Sequence, residues 1–173
     1  MAMTALDYEE IRQLLARYSH GLDFTDIRAF GECFAPDAVF SEKGLPPASP
    51  GGAPTEMRFE GRASIVEFAA GFTARAGGHL RHWSSPPVIE GDGRSATGTS
   101  FLMVLRPGAA PGSGVILTGV YHDTYTKTDG KWYFAHREFT ADPGPGDAPE
   151  SGDPLVARFD AFVAGLIRQG ADR

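Results

Sequence analysis

The stretch that decides the fold is residues 95–142, SATGTSFLMVLRPGAAPGSGVILTGVYHDTYTKTDGKWYFAHREFTAD. It contains two long runs rich in β-branched and aromatic residues, Ser95 to Leu105 and Val115 to Thr128, which are typical of β-strands. The dipeptide Asp129-Gly130 separates the second run from a third, Lys131 to Asp142. Because Asp-Gly between two such runs is typical of a tight hairpin turn, the stretch predicts a meander of long antiparallel strands.

The residues before this meander predict three helices and a strand. Asp7 and Glu10 have the spacing of a capping box at the first helix, and Pro36 ends the second helix. A strand begins at Ala38, and Gly77 ends the third helix. Apolar residues recur at helical spacing in three sets, 11–22, 27–34 and 65–72. This order predicts an α+β fold in which the helices pack on one face of a curved, cone-shaped sheet of mixed and antiparallel strands.

The length of 173 residues favours a single domain that spans residues 1–173. Three runs are rich in glycine and proline, 44–54, 107–114 and 143–149, and we predict that they are loops. The core of the fold is expected at about residues 6–142, followed by a Pro/Gly-rich linker at 143–154. Apolar residues at helical spacing after the linker predict a C-terminal helix at 154–169.

Composition and charge exclude several classes of protein. With 42% hydrophobic and 22% charged residues, the chain is not wholly disordered. The net charge of −6 does not favour binding to nucleic acid. No apolar run approaches the roughly 20 residues that span a bilayer, so no membrane partner is expected. Because Cys33 is the single cysteine and no export signal is visible, we expect a cytoplasmic protein.

A cone-shaped sheet lined by aromatic side chains is a natural pocket for a small hydrophobic molecule. The chain has 12 phenylalanines, 5 tyrosines and 2 tryptophans, and most of them are expected to fill the core. Phe40 and Trp83 are candidate wall residues. Tyr121 and His136 lie on the hairpin strands and are expected to reach the pocket or a subunit interface. Alternation along the strand places His136 on the face of the preceding aromatic residues. Arg137, which follows it, is expected to be exposed to solvent, with binding of an anionic substrate as the alternative.

Several segments together resemble the SnoaL-like proteins of the nuclear transport factor 2-like superfamily. The segments are RYSHGLDFTD at 17–26, CFAPDAVF at 33–40, FEGRASI at 59–65, LRHW at 80–83 and DGKWYFAH at 129–136. Within that superfamily the scytalone dehydratase and bile-acid dehydratase subgroup is the nearest. The superfamily fold hosts cyclases, isomerases, dehydratases and non-enzymatic binders, so the resemblance implies a fold more specifically than a function.

The resemblance implies a catalytic dyad of His82 and Asp23. In the dehydratase subgroup the histidine is the base and the carboxylate orients it. Tyr18 matches the position of a tyrosine that donates a hydrogen bond to a substrate oxygen. The implied activity is a cofactor-free elimination or isomerisation of a hydrophobic, oxygenated cyclic small molecule. The resemblance also implies assembly, and we expect a homodimer or a homotrimer.

Other functions remain open at this point. A ketosteroid-isomerase-like enzyme would use Glu42 as the base and Tyr18 as the donor. A non-enzymatic ligand-binding or assembly domain would use the same fold without chemistry, as would the small subunit of a ring-hydroxylating dioxygenase. His79 and His82 have the spacing H-x-x-H, but residues three apart on a strand face opposite sides, so no metal site is expected.

Overall fold

The computed structural model of the protein describes residues 2–45, 55–77, 79–108 and 114–143. The helices are α1 (Ala5–Asp23), α2 (Ile27–Gly31) and α3 (Arg62–Ala76). The strands are β1 (Phe34–Leu45), β2 (Thr55–Glu60), β3 (Arg81–Ser84), β4 (Val88–Gly91), β5 (Ser95–Arg106), β6 (Gly114–Thr128) and β7 (Lys131–Ala141). The predicted linker and the predicted C-terminal helix lie outside the described residues, apart from Pro143. None of the described helices is long and apolar enough to cross a membrane.

The strands form one curved sheet in the order β2-β1-β7-β6-β5-β3, and β4 also pairs with β5. The pairing of β1 with β7 is parallel, and the other pairings are antiparallel. At the β6–β7 turn both Asp129 (φ 51°) and Gly130 (φ 78°) have the positive φ that a tight hairpin requires. The predicted hairpin and the predicted α+β fold are therefore confirmed.

The N-terminus of α1 differs from the prediction. Its N-cap is Thr4, whose hydroxyl accepts from the Asp7 N–H at 3.2 Å while Asp7 Oδ2 accepts from the Thr4 N–H at 2.8 Å. Asp7 is thus the third helical residue of the capping box and not its start, so the predicted Asp7–Glu10 pairing was wrong. Asp7 Oδ1 also accepts from Lys127 Nζ at 2.6 Å and from Trp132 Nε1 at 2.9 Å. This buried carboxylate therefore ties the start of α1 to the β6–β7 hairpin.

Helix α2 ends at Gly31, earlier than predicted. The apolar spacing from Ile27 to Phe34 indicated one helix, but Phe34 is the first residue of β1. The Phe34 ring lies 5.2 Å from the ring of Phe30 and 5.4 Å from that of Phe134. Residues at helical spacing therefore meet in one core cluster although they belong to two different elements.

A β-bulge changes which side chains of β7 face the core. Thr124 is opposite His136 and Tyr125 is opposite Phe134, so Ala135 is the extra residue. After the bulge Arg137 points into the core, where it is fully buried, and His136 lies on the other face of the sheet. The predicted face of His136 and the predicted exposure of Arg137 were both wrong. The inserted residue shifts the alternation of inward and outward side chains by one position.

We predict that Asp7→Asn lowers the free energy of unfolding by about 2 kcal/mol, because the buried carboxylate loses its charge-assisted hydrogen bonds. The Lys127 ammonium and the Thr4 and Trp132 donors hold the pKa of Asp7 well below its usual 3.8. The ionised carboxylate therefore stabilises the folded protein at pH values above its usual pKa of 3.8, and this stabilisation is lost as the pH falls below that value. Urea unfolding at several pH values measures both effects.

The matched control is Glu9→Gln, which removes one negative charge from an exposed position of the same helix. Its free energy of unfolding should stay within about 0.5 kcal/mol of the parent value. If Asp7→Asn behaves like this control at pH 7, the assigned role of Asp7 is wrong.

Candidate active site

The central feature of the site is a two-point contact between Asp23, the last residue of α1, and His82 on β3. Asp23 Oδ2 accepts the His82 backbone N–H at 2.8 Å, and Asp23 Oδ1 lies 2.5 Å from His82 Nδ1. The two side chains are only 6% and 7% exposed. Because an ionised carboxylate only accepts, Nδ1 carries a proton in this contact, and the neutral ring then has a lone pair at Nε2. Nε2 has no hydrogen-bond partner among the described residues.

Local structure directs Asp23 toward β3. The N-cap of α2 is Asp26, whose side chain accepts from the Ala29 N–H at 3.0 Å, so Asp23 is not needed as a cap. Helix α2 can pack closely on the end of α1 because residue 21 is glycine: a Cβ there would lie 2.8 Å from the backbone nitrogen of Phe30. The short connection between the helices therefore leaves the Asp23 carboxylate free to meet the edge strand.

His82 lines a cavity of about 240 Å³ between the helices and the concave face of the sheet. Four polar side chains reach the cavity from four elements: Tyr18 from α1, Glu42 from β1, His82 from β3 and Tyr121 from β6. Most of the remaining lining is apolar and includes Phe30, Phe40, Phe68, Phe72, Leu102 and Phe139. The arrangement is an apolar cavity with few, convergent polar groups, which is typical of small-molecule sites.

A larger groove, of about 560 Å³, lies on the other side of the His82–Asp23 pair. His82 lines this groove as well, together with Asp23, the exposed Trp83 and polar side chains such as Ser19 and His20. The groove contains neither tyrosine of the inner cavity and not Glu42. Asp23 occupies the Nδ1 side of the imidazole. We therefore place the reactive space in the inner cavity, which also holds Tyr18, Tyr121 and Glu42.

The hydroxyl groups of Tyr18 and Tyr121 meet at the cavity, 3.4 Å apart, and both side chains are buried. One hydroxyl donates to the other in this weak contact, which leaves the second hydroxyl proton for a bound molecule. Burial raises the pKa of Tyr18 well above 10 and that of Tyr121 to about 12. Both groups are therefore protonated at neutral pH and are suited to donate a hydrogen bond to a developing oxyanion.

Arg137 lies beneath the two tyrosines. Its guanidinium carbon is 3.6 Å from the ring centroid of Tyr121, 4.1 Å from that of Tyr18 and 4.5 Å from that of Phe134. Its Nε is 3.4 Å from Asp123 Oδ1, a close ion pair without hydrogen-bond geometry. The buried charge is therefore stabilised by the Asp123 carboxylate and by the faces of aromatic rings.

This buried role of Arg137 was not predicted from the sequence. The available signal is the direct cross-strand pairing of Asp123 with Arg137 in the β6–β7 hairpin. If residues of β6 and β7 are paired one by one outward from the Asp129-Gly130 turn, Asp123 is opposite His136. It is opposite Arg137 only when the extra residue of the bulge in β7 is included. Opposite charges on facing strands are a recognisable pattern, but the bulge hides this one.

Glu42 lines the cavity from β1, which is separated from β3 by three other strands of the sheet. Burial raises the pKa of its carboxyl group to about 7. Its carboxyl group has no hydrogen-bond or ion-pair partner among the described residues. At neutral pH a substantial fraction of Glu42 is therefore the neutral acid.

The other predicted site residues have different positions. Phe40 and Tyr121 line the cavity. Trp83 does not: it follows the inward-facing His82 on a short strand, so it points outward and is 67% exposed. His136 lies on the opposite face of the sheet, with its Nε2 at 3.1 Å from Ser41 Oγ.

The H-x-x-H pair does not converge on one point. His79 is exposed before β3, whereas His82 faces inward. In the described part of the chain, no group of three or more His, Cys, Asp or Glu side chains is placed to hold a metal ion.

The chain matches the model of the SnoaL-like domain over residues 3–138. It therefore belongs to the SnoaL-like family, and its fold is the cystatin-like fold of the nuclear transport factor 2-like proteins. The predicted resemblance is confirmed. No curated protein sequence gives a significant match.

Three solved structures illustrate the likeness. A cystatin-like protein of unknown function from Nostoc punctiforme is 28% identical with a TM-score of 0.66, over 83% of this chain and 97% of its own. A function-unknown protein from Mycobacterium tuberculosis is 27% identical with a TM-score of 0.66, over 98% and 96%. A proposed scytalone dehydratase from Novosphingobium aromaticivorans is 22% identical with a TM-score of 0.62, over 79% and 85%, a likeness of fold alone.

We predict that Arg137→Met lowers the free energy of unfolding by about 3 kcal/mol, because Asp123 is then buried without its counter-charge. Urea unfolding measures the change. The control is Arg28→Met, whose side chain is 82% exposed and whose loss should cost under about 0.5 kcal/mol. Equal effects of the two substitutions would contradict the assignment of Arg137 as a buried, paired cation.

Proposed function

We propose that the protein is a cofactor-free lyase or isomerase that acts on a hydrophobic, oxygenated cyclic small molecule. The observation that carries the proposal is the His82 ring held by Asp23 at 2.5 Å on the wall of an apolar cavity. A histidine oriented in this way is suited to take a proton from carbon, because its charged form is stabilised by the carboxylate.

In the proposed reaction His82 Nε2 removes a proton from the carbon next to a carbonyl group. The Asp23 carboxylate stabilises the imidazolium that forms. The tyrosine hydroxyl whose proton is not used in the Tyr18–Tyr121 contact donates to the carbonyl oxygen as it gains negative charge. In an elimination the electron pair then forms a carbon–carbon double bond as water or another small group leaves. In an isomerisation the proton returns to a different carbon.

Membership of the SnoaL-like family supports the proposal at the level of class. The likeness to the proposed scytalone dehydratase supports a shared fold and no more, because the identity is 22%. The competing function is a binding domain of the same fold, which would hold a ligand in the cavity without moving a proton. The two functions differ in whether the protein labilises a carbon-bound proton.

We predict that the protein accelerates exchange of the α-protons of 1-tetralone, a bicyclic ketone, with D2O. His82→Ala should slow this exchange by about 10²–10⁴-fold, and Asp23→Asn should slow it strongly as well. NMR spectroscopy measures the loss of the α-proton signal. Binding without exchange would instead identify a binding domain.

The matched control is His79→Ala, which removes an exposed histidine three residues from His82. Its exchange rate should equal the parent rate. The melting temperature of each variant, followed by circular dichroism, separates loss of the base from loss of the fold.

We also propose that the protein acts in the cytoplasm as a homodimer or homotrimer. In support, large apolar side chains are exposed on the outward side of neighbouring strands, with Trp83 on β3 67% and Phe101 on β5 68% exposed. We predict a molar mass of two or three chains by light scattering on a sizing column. A monomer at micromolar concentration would overturn the assembly.

A further inference from the structure

Glu42 and His82 reach the same cavity from different ends of the sheet. Strand β1 is separated from β3 by β7, β6 and β5, and the curvature of the sheet brings both side chains to one space of about 240 Å³. His82 has its Nδ1 held by Asp23. Glu42 has neither a hydrogen bond nor an ion pair to any described residue. Beside the two tyrosines, the cavity thus presents a histidine that is oriented as a base and a carboxyl group that has no partner among the described residues.

The surroundings of Glu42 favour its neutral form. The other titratable groups that line the cavity are Tyr18 from α1, Tyr121 from β6 and His82 from β3, and the described lining includes no lysine or arginine. The neighbouring charges Lys43 and Glu138 pair with each other at 2.7 Å. With no cation in the described lining, burial raises the pKa of Glu42 to about 7.

Glu42 is also close enough to the tyrosine pair to act on it electrostatically. A charge on Glu42 raises the pKa of both Tyr18 and Tyr121. A carbonyl oxygen bound at the tyrosine hydroxyls would therefore lie near the Glu42 carboxyl group. In a cavity of only about 240 Å³, a hydroxyl on the β carbon of such a ketone would have to lie close to the same groups.

We propose that Glu42 is the general acid of the elimination, and that the substrate is an uncharged cyclic ketone with a hydroxyl β to the carbonyl. This inference rests on the proposed function of His82 as the base. An acid and a base in one cavity, with protonation states set by different environments, are what such a reaction needs.

The C–H bond α to the carbonyl breaks and its proton goes to His82 Nε2, and the electron pair forms the double bond. The C–O bond at the β carbon breaks, and the Glu42 proton joins the leaving oxygen to give water. The products are the enone and water, with an imidazolium and a carboxylate on the protein. Transfer of the proton from His82 to Glu42 through that water restores both groups.

The test uses 3-hydroxy-1-tetralone, whose dehydration gives 1-naphthol, beside 1-tetralone, which has no leaving group. Glu42→Gln keeps the shape of the side chain but cannot give up a proton. We expect kcat for dehydration to fall by about 10²-fold or more. The dehydration rate of this variant should fall by a much larger factor than its rate of 1-tetralone α-proton exchange, because only the dehydration has a leaving oxygen to protonate.

The pH profile gives a readout that a merely structural role would not change. In the parent protein kcat/KM should fall above about pH 7 as Glu42 loses its proton. Glu42→Gln should lose this fall. The control Glu90→Gln alters an exposed carboxylate on β4 and should keep the fall.

The outcomes separate the two proposals. Undiminished dehydration by Glu42→Gln overturns the role of Glu42, as does a parent protein that exchanges 1-tetralone protons without dehydrating the hydroxy ketone. If a folded Glu42→Gln protein loses both the exchange of 1-tetralone protons and the dehydration, Glu42 is the base. That result also overturns its role as the general acid. Absence of exchange in the parent protein, or full exchange in His82→Ala, overturns the proposed function itself.

Discussion

The structure depends on one carboxylate that binds two N–H groups of one residue. Asp23 accepts from the backbone and from the ring of His82, and so it joins the end of α1 to β3, the four-residue strand at the end of the sheet. A strand this short has few ladder bonds of its own. The contact therefore closes one side of the cavity and orients the imidazole at the same time, which couples the integrity of the site to that of the fold.

The second constraint is a buried cation placed under an aromatic wall. Arg137 contacts the faces of Tyr18 and Tyr121 and pairs with Asp123, so the tyrosine hydroxyls are held at the cavity from below. A charge removed from water is costly unless it is compensated. The packing around Arg137 makes the tyrosine positions rigid, and rigid donors are those that stabilise developing charge without reorganising.

The cavity contains groups of different protonation states within a small volume. The tyrosines are protonated because burial raises their pKa values, and the Glu42 carboxyl group has a pKa near 7 for the same reason. His82 differs because a carboxylate binds its Nδ1 side. Removal from water thus makes the tyrosines hydrogen-bond donors and makes Glu42 an acid. The contact with Asp23 makes His82 a base.

The sequence by itself determined the features that arise from local signals. The Asp129-Gly130 turn, the helical apolar spacing and the α+β order are readable because each depends on neighbouring residues. The pairing of Asp23 with His82 was predictable only through the family resemblance, since the two residues are far apart in the chain.

The tertiary structure decided which side chains face the cavity. The bulge at Ala135 turns His136 away and buries Arg137, and a local pattern does not show where a ladder gains an extra residue. Trp83 points outward because β3 is anchored through its neighbour His82. The raised pKa of Glu42 likewise depends on burial by residues from other elements. Burial and register are properties of packed elements, so they follow from non-local contacts that no single segment specifies.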